Sequence, residues 1–119
     1  MNILYHKLHL QAPEATIYVA LGLKQIAALS RKLKLEEHIL EDFTLDYVDG
    51  MFGSDGQYLF ILLTEEYNPI TTAHECIHAA GRMWEGVGAA LTIHNDEVLT
   101  YTHDAIHKMI KELYDGNSK

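Results

Sequence analysis

The chain is poor in cysteine, in positive charge and in long apolar runs, each of which would point to a particular class of protein. It has one cysteine in 119 residues, so no internal disulfide can form and the sequence suits a reducing cytoplasm. Its 9 lysines and arginines face 17 aspartates and glutamates, and the net charge of −8 disfavours nucleic acid or an anionic membrane as partner. The longest apolar run, residues 58–63, is too short to cross a bilayer. We therefore expect a cytoplasmic protein that binds neither nucleic acid nor a membrane.

Length and composition predict a single domain spanning residues 1–119. Apolar residues make up 48% of the chain and charged residues 22%, which is the balance of an ordinary globular protein. The sequence contains no repeats, low-complexity tracts or linkers that would divide it. Its acidic surface suits a basic partner, although the same charge also serves solubility alone.

Two strands and a helix are predicted in the first third of the chain. Residues 2–10 alternate between polar and apolar side chains, and residues 16–20 form a β-branched and aromatic run. Apolar residues recur at helical spacing over residues 22–35. One long helix starting near Pro13 is the alternative, which the β-branched and aromatic residues of the second run disfavour.

A β-hairpin is predicted next. Residues 43–52 alternate loosely, residues 53–56 (Gly-Ser-Asp-Gly) have turn composition, and residues 57–64 are almost continuously apolar. Because a continuous apolar run suits burial on both faces, we expect the second strand to lie centrally in its sheet. His38 precedes the hairpin, in what the sequence predicts to be a charged connector.

Two helices are predicted after the hairpin. Asn68 is a favoured N-cap and Pro69 a favoured first helical residue, so one helix should begin there and fray near Gly86 and Gly88. The last helix is predicted over residues 96–114. Together these elements predict an α+β fold, in which a small and mostly antiparallel sheet packs against a backing helix and two C-terminal helices.

The most specific feature of the sequence is His74-Glu75-Cys76-Ile77-His78, an H-E-x-x-H motif inside the first of these two helices. Residues four apart lie on the same face of a helix, so both imidazoles can reach one metal ion. Glu75 would lie beside that ion without binding it, and would take a proton from the water that the ion activates. The motif therefore points to a zinc (Zn²⁺) hydrolase. In a competing interpretation Thr72 and Glu75 form a capping box, which the earlier start at Asn68 disfavours.

A catalytic zinc needs a third protein ligand and an open position for water. Glu97, near the start of the last helix, is the favoured candidate, because the intervening segment contains glycines that let the chain double back. Glu85 shares the helical face of the histidines, but a straight helix would carry it about 10 Å beyond His78. His94 is close to Glu97 in sequence and stays an alternative. Glu97 could otherwise serve only to complement the helix dipole.

Tyr101 lies one turn after Glu97 on the same helical face. Its phenol could donate a hydrogen bond to the developing oxyanion or orient a ligand histidine, and the alternative is a half-buried helix tyrosine. Asp104, a further turn along, is a weaker candidate for supporting a ligand. We predict a site in which the metal ligands are His74, His78 and Glu97 and the catalytic residues are Glu75 and Tyr101.

The remaining histidines and the cysteine fit structural roles better. His103 and His107 form a second pair four residues apart, but lysines lie nearby and we expect solvated helix side chains. His6 and His9 are expected on the surface of an edge strand. Cys76 points away from the ligand face of its helix, which indicates a packed thiol rather than a reactive one.

With H-E-C-I-H-A-A-G followed by N-D-E-V-L-T-Y, the chain resembles the zincins, and more narrowly the small metallopeptidase-like proteins encoded by bacteriophages. The resemblance covers most of the chain, and its specific part is residues 70–101. It implies a minimal zincin fold in which His74, His78 and Glu97 bind zinc and Glu75 is the general base, the gluzincin pattern.

Two departures from zincin patterns stand out. Gluzincins often carry an acid one turn after the ligand glutamate to orient a histidine, and Tyr101 occupies that place here. Gly81 also matches the longer motif of the metzincins, but Trp84 stands where their third ligand should be. The metzincin interpretation therefore fails.

The resemblance implies hydrolysis of peptide bonds in a peptide or protein substrate, which would pair as an extended strand with the sheet edge formed by residues 58–63 or their hairpin partner. A hypothesis of another class is a catalytically silent, zinc-stabilised phage protein that binds or inhibits a host factor in the host cytoplasm. The short chain, which leaves little room for a substrate cleft, favours that alternative. A third hypothesis is hydrolysis of a different amide, such as a cell-wall peptide.

Overall fold

Four strands and four helices make up the part of the chain that the computed structural model describes, residues 3–11, 14–55, 58–86 and 96–117. These elements confirm the α+β class predicted from the sequence. In chain order they are β1 (His6–Gln11), β2 (Glu14–Leu21), α1 (Leu23–Leu33), α2 (Glu37–Thr44), β3 (Gly50–Asp55), β4 (Tyr58–Leu63), α3 (Pro69–Gly86) and α4 (Asp96–Asn117).

The four strands form one mixed sheet in the order β1-β2-β4-β3. β1 pairs with β2 and β3 pairs with β4 in antiparallel fashion, whereas β2 and β4 run parallel, with Ile17 opposite Leu59. The sheet is thus mostly antiparallel, as expected. β4 lies between two neighbours, which agrees with its continuous apolar sequence, while β1 and β3 are the edges.

Helices cover both faces of the sheet, and the alternate residues of each strand point to these opposite faces. Ile17 and Val19 of β2 pack in one core with α3 and α4, whereas Tyr18 and Ala20 pack in a second core with α1 and α2. The expected single backing helix is therefore a pair. Within the described ranges, no helix combines the length and the apolarity that a membrane span requires.

α2 replaces the connector that was predicted around His38 and the first residues of the predicted strand. Ile39 and Phe43, four residues apart, are buried against α1, and this spacing is helical. The helix has only 8 residues, so it shows too few turns for its periodicity to stand out from a loose alternation. β3 consequently begins at Gly50 instead of residue 43.

The two histidines of β1 differ in their surroundings. His9 is exposed, as expected, and its Nδ1 lies 3.3 Å from the hydroxyl of Thr16. His6 is half-buried, and its Nε2 has no hydrogen-bond partner among the described residues. Burial lowers the pKa of His6, because the charged imidazolium loses hydration there. The expected surface position therefore holds only for His9.

Gly53 provides a test of the packing between β3 and β4. It lies opposite Phe60, and a Cβ at this position would overlap the buried Phe60 ring. Gly53→Ala should therefore lower the free energy of unfolding by about 1–3 kcal/mol in urea denaturation.

Gly81→Ala is the matched control, because apart from the adjacent residues and the backbone of α3 itself no atom of the described residues lies within 4 Å of a Cβ built at this position. A glycine-to-alanine change inside a helix should raise the stability by up to about 1 kcal/mol. A Gly53→Ala variant that is as stable as the wild type, or more stable, would contradict the packing described for Gly53.

Candidate metal centre

The helix that carries the motif begins where the sequence predicts. The side-chain oxygen of Asn68 accepts hydrogen bonds from the backbone N–H groups of Ile70 (3.0 Å) and Thr71 (3.1 Å), which is N-cap geometry. α3 therefore starts at Pro69, and Glu75 lies in its second turn. Thr72 is buried inside the helix and its hydroxyl has no hydrogen-bond partner among the described residues, so the capping-box interpretation is wrong.

Packing against the sheet fixes which face of α3 is presented to solvent. Small or flexible side chains of α3 enter the core, and their size lets the helix lie close to the strands. The two motif histidines point away from this core and are exposed. The buried residues of this face are Cys76, Ala79, Ala80 and Met83.

His74 and His78 hold their imidazoles together at the surface of α3. Their Nε2 atoms are 3.2 Å apart, and the rings are nearly perpendicular at 80°. In a tetrahedral zinc site with Zn–N distances near 2.05 Å, two ligand nitrogens lie about 3.3 Å apart. The observed separation therefore fits a shared metal ion. One ligand atom from each of His74, Glu75 and His78 lies within 4.8 Å of the other two.

Glu75 has a different environment from the two histidines that flank it. It is 7% exposed, and its carboxylate accepts a hydrogen bond from the backbone N–H of Phe52. Burial raises the pKa of Glu75 above its ordinary value, while the charges of His74 and His78 and the Phe52 hydrogen bond act in the opposite direction. A carboxyl group in such surroundings is suited to accepting and releasing a proton.

The edge strand β3 lies directly against the site. A Cβ at Gly50 would be 2.6 Å from Cγ2 of Thr71 and 3.2 Å from Cγ of Glu75, so only glycine permits this approach of strand and helix. The Phe52 ring stacks on that of His78, with centroids 6.4 Å apart and planes 16° from parallel. Sequence reasoning missed Gly50 and Phe52 as site residues, since no local pattern distinguishes them from other strand residues.

The described residues do not bring a third ligand into the His74–Glu75–His78 group. Glu97 is exposed at the start of α4 and is outside that group. Glu85 is also outside it and pairs with Arg82 at 3.4 Å. His94 lies outside the described residues. The assignment of Glu97 stays a prediction.

Tyr101 is 71% exposed on α4, which contradicts the half-buried alternative considered for it. Its side chain is accessible to solvent, but no described contact links it to His74 or His78. The catalytic role of Tyr101 likewise stays a prediction. Asp104 contacts His103 and not a motif histidine.

His103 and His107 are not solvated, which overturns the expectation for this pair. The Nε2 of His103 donates to the carbonyl oxygen of Ala73 at 3.1 Å, and the Nε2 of His107 shares a 2.7 Å hydrogen bond with the Tyr67 hydroxyl. Both rings are half-buried because α4 runs back along α3 and the segment before it. No local pattern indicates these partners, which are 30 and 40 residues away along the chain.

Comparison of the chain with protein-family models, with curated proteins and with solved structures finds no match. The resemblance to zincins therefore depends on the motif and the residues that follow it. The positions of the His74 and His78 nitrogens and of the Glu75 carboxylate support metal binding independently of that resemblance.

Cys76 sits inside the motif but should be chemically inert. It is fully buried, and burial raises its thiol pKa to about 12. At pH 8 only about one thiol in ten thousand would then be ionised, and the thiolate is the reactive form. We expect iodoacetamide to label the native protein very slowly and the urea-unfolded protein rapidly, as followed by mass spectrometry. Rapid labelling under native conditions would contradict the burial of Cys76.

Proposed function

We propose that the protein is a zinc-dependent metallopeptidase, with zinc bound by His74, His78 and Glu97 and with Glu75 as general base. The observation that carries the proposal is the 3.2 Å approach of the two histidine nitrogens, with the Glu75 carboxylate beside them. Nitrogen ligands from two histidines and an oxygen ligand from a carboxylate form a common donor set for catalytic zinc.

Each residue around the metal has a different chemical role. Zinc, when bound, supplies Lewis acidity that lowers the pKa of a coordinated water and polarises a carbonyl. Glu75 takes the proton of the attacking water and delivers it to the leaving amine. Its hydrogen bond from Phe52 orients the carboxylate, and its burial favours holding the proton between the two steps. Tyr101 donates a hydrogen bond to the developing oxyanion.

The substrate is an extended peptide that pairs with β3. Among the described residues β3 has a strand partner on one side only. The Phe52 N–H points toward Glu75 and donates to it, so at this residue only the carbonyl is left for a peptide at the outer edge of the sheet. Gly50 and Ser54, two residues to either side, share that direction in a regular strand. A peptide strand added there would run beside His78, as peptide addition to a sheet edge requires.

A second candidate is a zinc-stabilised protein that binds or inhibits a host factor without turnover. The observation that favours it is that Glu97 does not join the motif residues within the described part of the chain. The same β3 edge would then hold a partner strand, with the metal serving stability alone. Glu75 separates the two candidates, because only hydrolysis needs a base.

Purified protein should contain about one zinc per chain by elemental analysis, and His74→Ala should lose it.

Glu75→Gln should keep the zinc, because Glu75 is not a ligand, but should lower kcat for cleavage of a quenched peptide library by about 10²–10⁴-fold. Glu112→Gln, an exposed change on α4, is the control and should leave cleavage unchanged. Undiminished cleavage by Glu75→Gln would exclude Glu75 as base, whereas a zinc-loaded wild type without cleavage would favour the binding protein.

Replacement of Glu97 tests the third ligand. Glu97→Gln should weaken zinc binding at least about tenfold in competition with a chromophoric chelator, since one of three protein ligands is lost. Glu85→Gln should leave the affinity unchanged, because Glu85 pairs with Arg82. If Glu97→Gln kept full affinity and His94→Ala lost it, the third ligand would be His94.

A further inference from the structure

His103 connects α4 to α3 immediately before the metal motif. Its side chain is only 18% exposed, and its Nε2 donates to the carbonyl oxygen of Ala73 at 3.1 Å. Its Nδ1 lies 3.0 Å from a carboxylate oxygen of Asp104. The hydrogen bond to Ala73 holds the imidazole in one orientation, with Asp104 beside its other ring nitrogen.

The neighbouring residue Thr102 makes a second connection at the far side of the motif. The indole N–H of Trp84 donates to the Thr102 hydroxyl at 2.9 Å, and that hydroxyl donates to the carbonyl of Val98 at 3.0 Å. Ala73 and Trp84 are eleven residues apart, which is about 16 Å along a helix. The metal motif lies between them, so the two hydrogen bonds hold one turn of α4 against α3 on either side of the motif.

The position of α4 decides where Glu97 lies. Glu97 is six residues before His103, so the two are separated by about 9 Å along the same helix. A helix transmits the position of one turn to the next, because its backbone hydrogen bonds leave little freedom for sliding. A contact that sets His103 against α3 therefore also sets Glu97 relative to His74.

We propose that His103 is a positioning residue for the metal site: its hydrogen bond to the Ala73 carbonyl holds α4 beside the motif helix, and from there Glu97, which stands outside the His74–Glu75–His78 group in this structure, joins the ligands when zinc binds. The inference rests on the proposed zinc site. His103 acts through Glu97 and does not contact the metal.

His107 offers a matched control on the same helix. It lies one turn after His103, is also half-buried, and also makes one hydrogen bond to another part of the chain. Its partner, Tyr67, precedes α3 and is not part of it. Loss of either histidine should cost comparable packing, but only His103 bonds to the helix that carries the motif.

Zinc affinity, measured by chelator competition, tests the inference without relying on turnover. His103→Leu should weaken binding by about 10–100-fold, the usual cost of removing a supporting hydrogen bond near a metal site. His103→Gln should recover most of the affinity, because its amide nitrogen can donate to the Ala73 carbonyl. His107→Leu should stay within about twofold of wild type, although thermal unfolding of the metal-free protein should show a similar stability loss.

A double-mutant cycle shows whether His103 acts through Glu97. In the Glu97→Gln background, His103→Leu should cause little further loss of affinity, because the ligand it positions is gone. Independent losses from the two changes, or equal losses in His103→Leu and His107→Leu, would overturn the inference. Should His103→Leu not fold, His103→Asn takes its place, because its shorter amide cannot reach Ala73. Failure of the wild type to bind zinc would instead overturn the proposed function.

Discussion

The close approach of β3 to α3 is the contact on which the candidate site depends. Gly50 lets the strand backbone come within van der Waals distance of Thr71 and Glu75, where any side chain would collide. That proximity brings the Phe52 N–H to the Glu75 carboxylate and the Phe52 ring onto His78. A buried carboxylate without such a donor would be costly, so the strand stabilises the acid that the motif places inside the protein.

The two faces of α3 explain how one short motif yields groups with different chemistry. Cys76, Ala79 and Ala80 are buried in the core and fix the rotation of the helix about its axis. This rotation leaves His74 and His78 exposed, where they can bind a metal, and turns Glu75 toward β3. Burial then raises the pKa of Glu75, while both imidazoles keep access to solvent. The difference between the proposed ligands and the proposed base thus follows from helix packing.

α4 relates to the site through side-chain hydrogen bonds. His103 and Thr102 bond to positions on either side of the motif, and Tyr114 donates to the carbonyl of Thr64 at 2.7 Å before α3 begins. These bonds hold the helix that bears Glu97 and Tyr101. The proposed enzyme would use Glu97 as a zinc ligand and Tyr101 as a donor to the oxyanion, whereas the proposed binding protein needs neither side chain for catalysis. Both proposals use the edge of β3 to hold a peptide strand.

The sequence by itself determined the features whose physical cause is local. The four-residue spacing of His74 and His78 places both on one helical face, Asn68 caps the helix that carries them, and the apolar run of β4 requires a central strand. Only the tertiary structure decided the presence of α2, the role of β3 as the edge beside the motif, and the pairing of His103 with Ala73. Those features come from contacts between residues far apart in the chain. Composition and periodicity do not indicate which distant residue a side chain will contact.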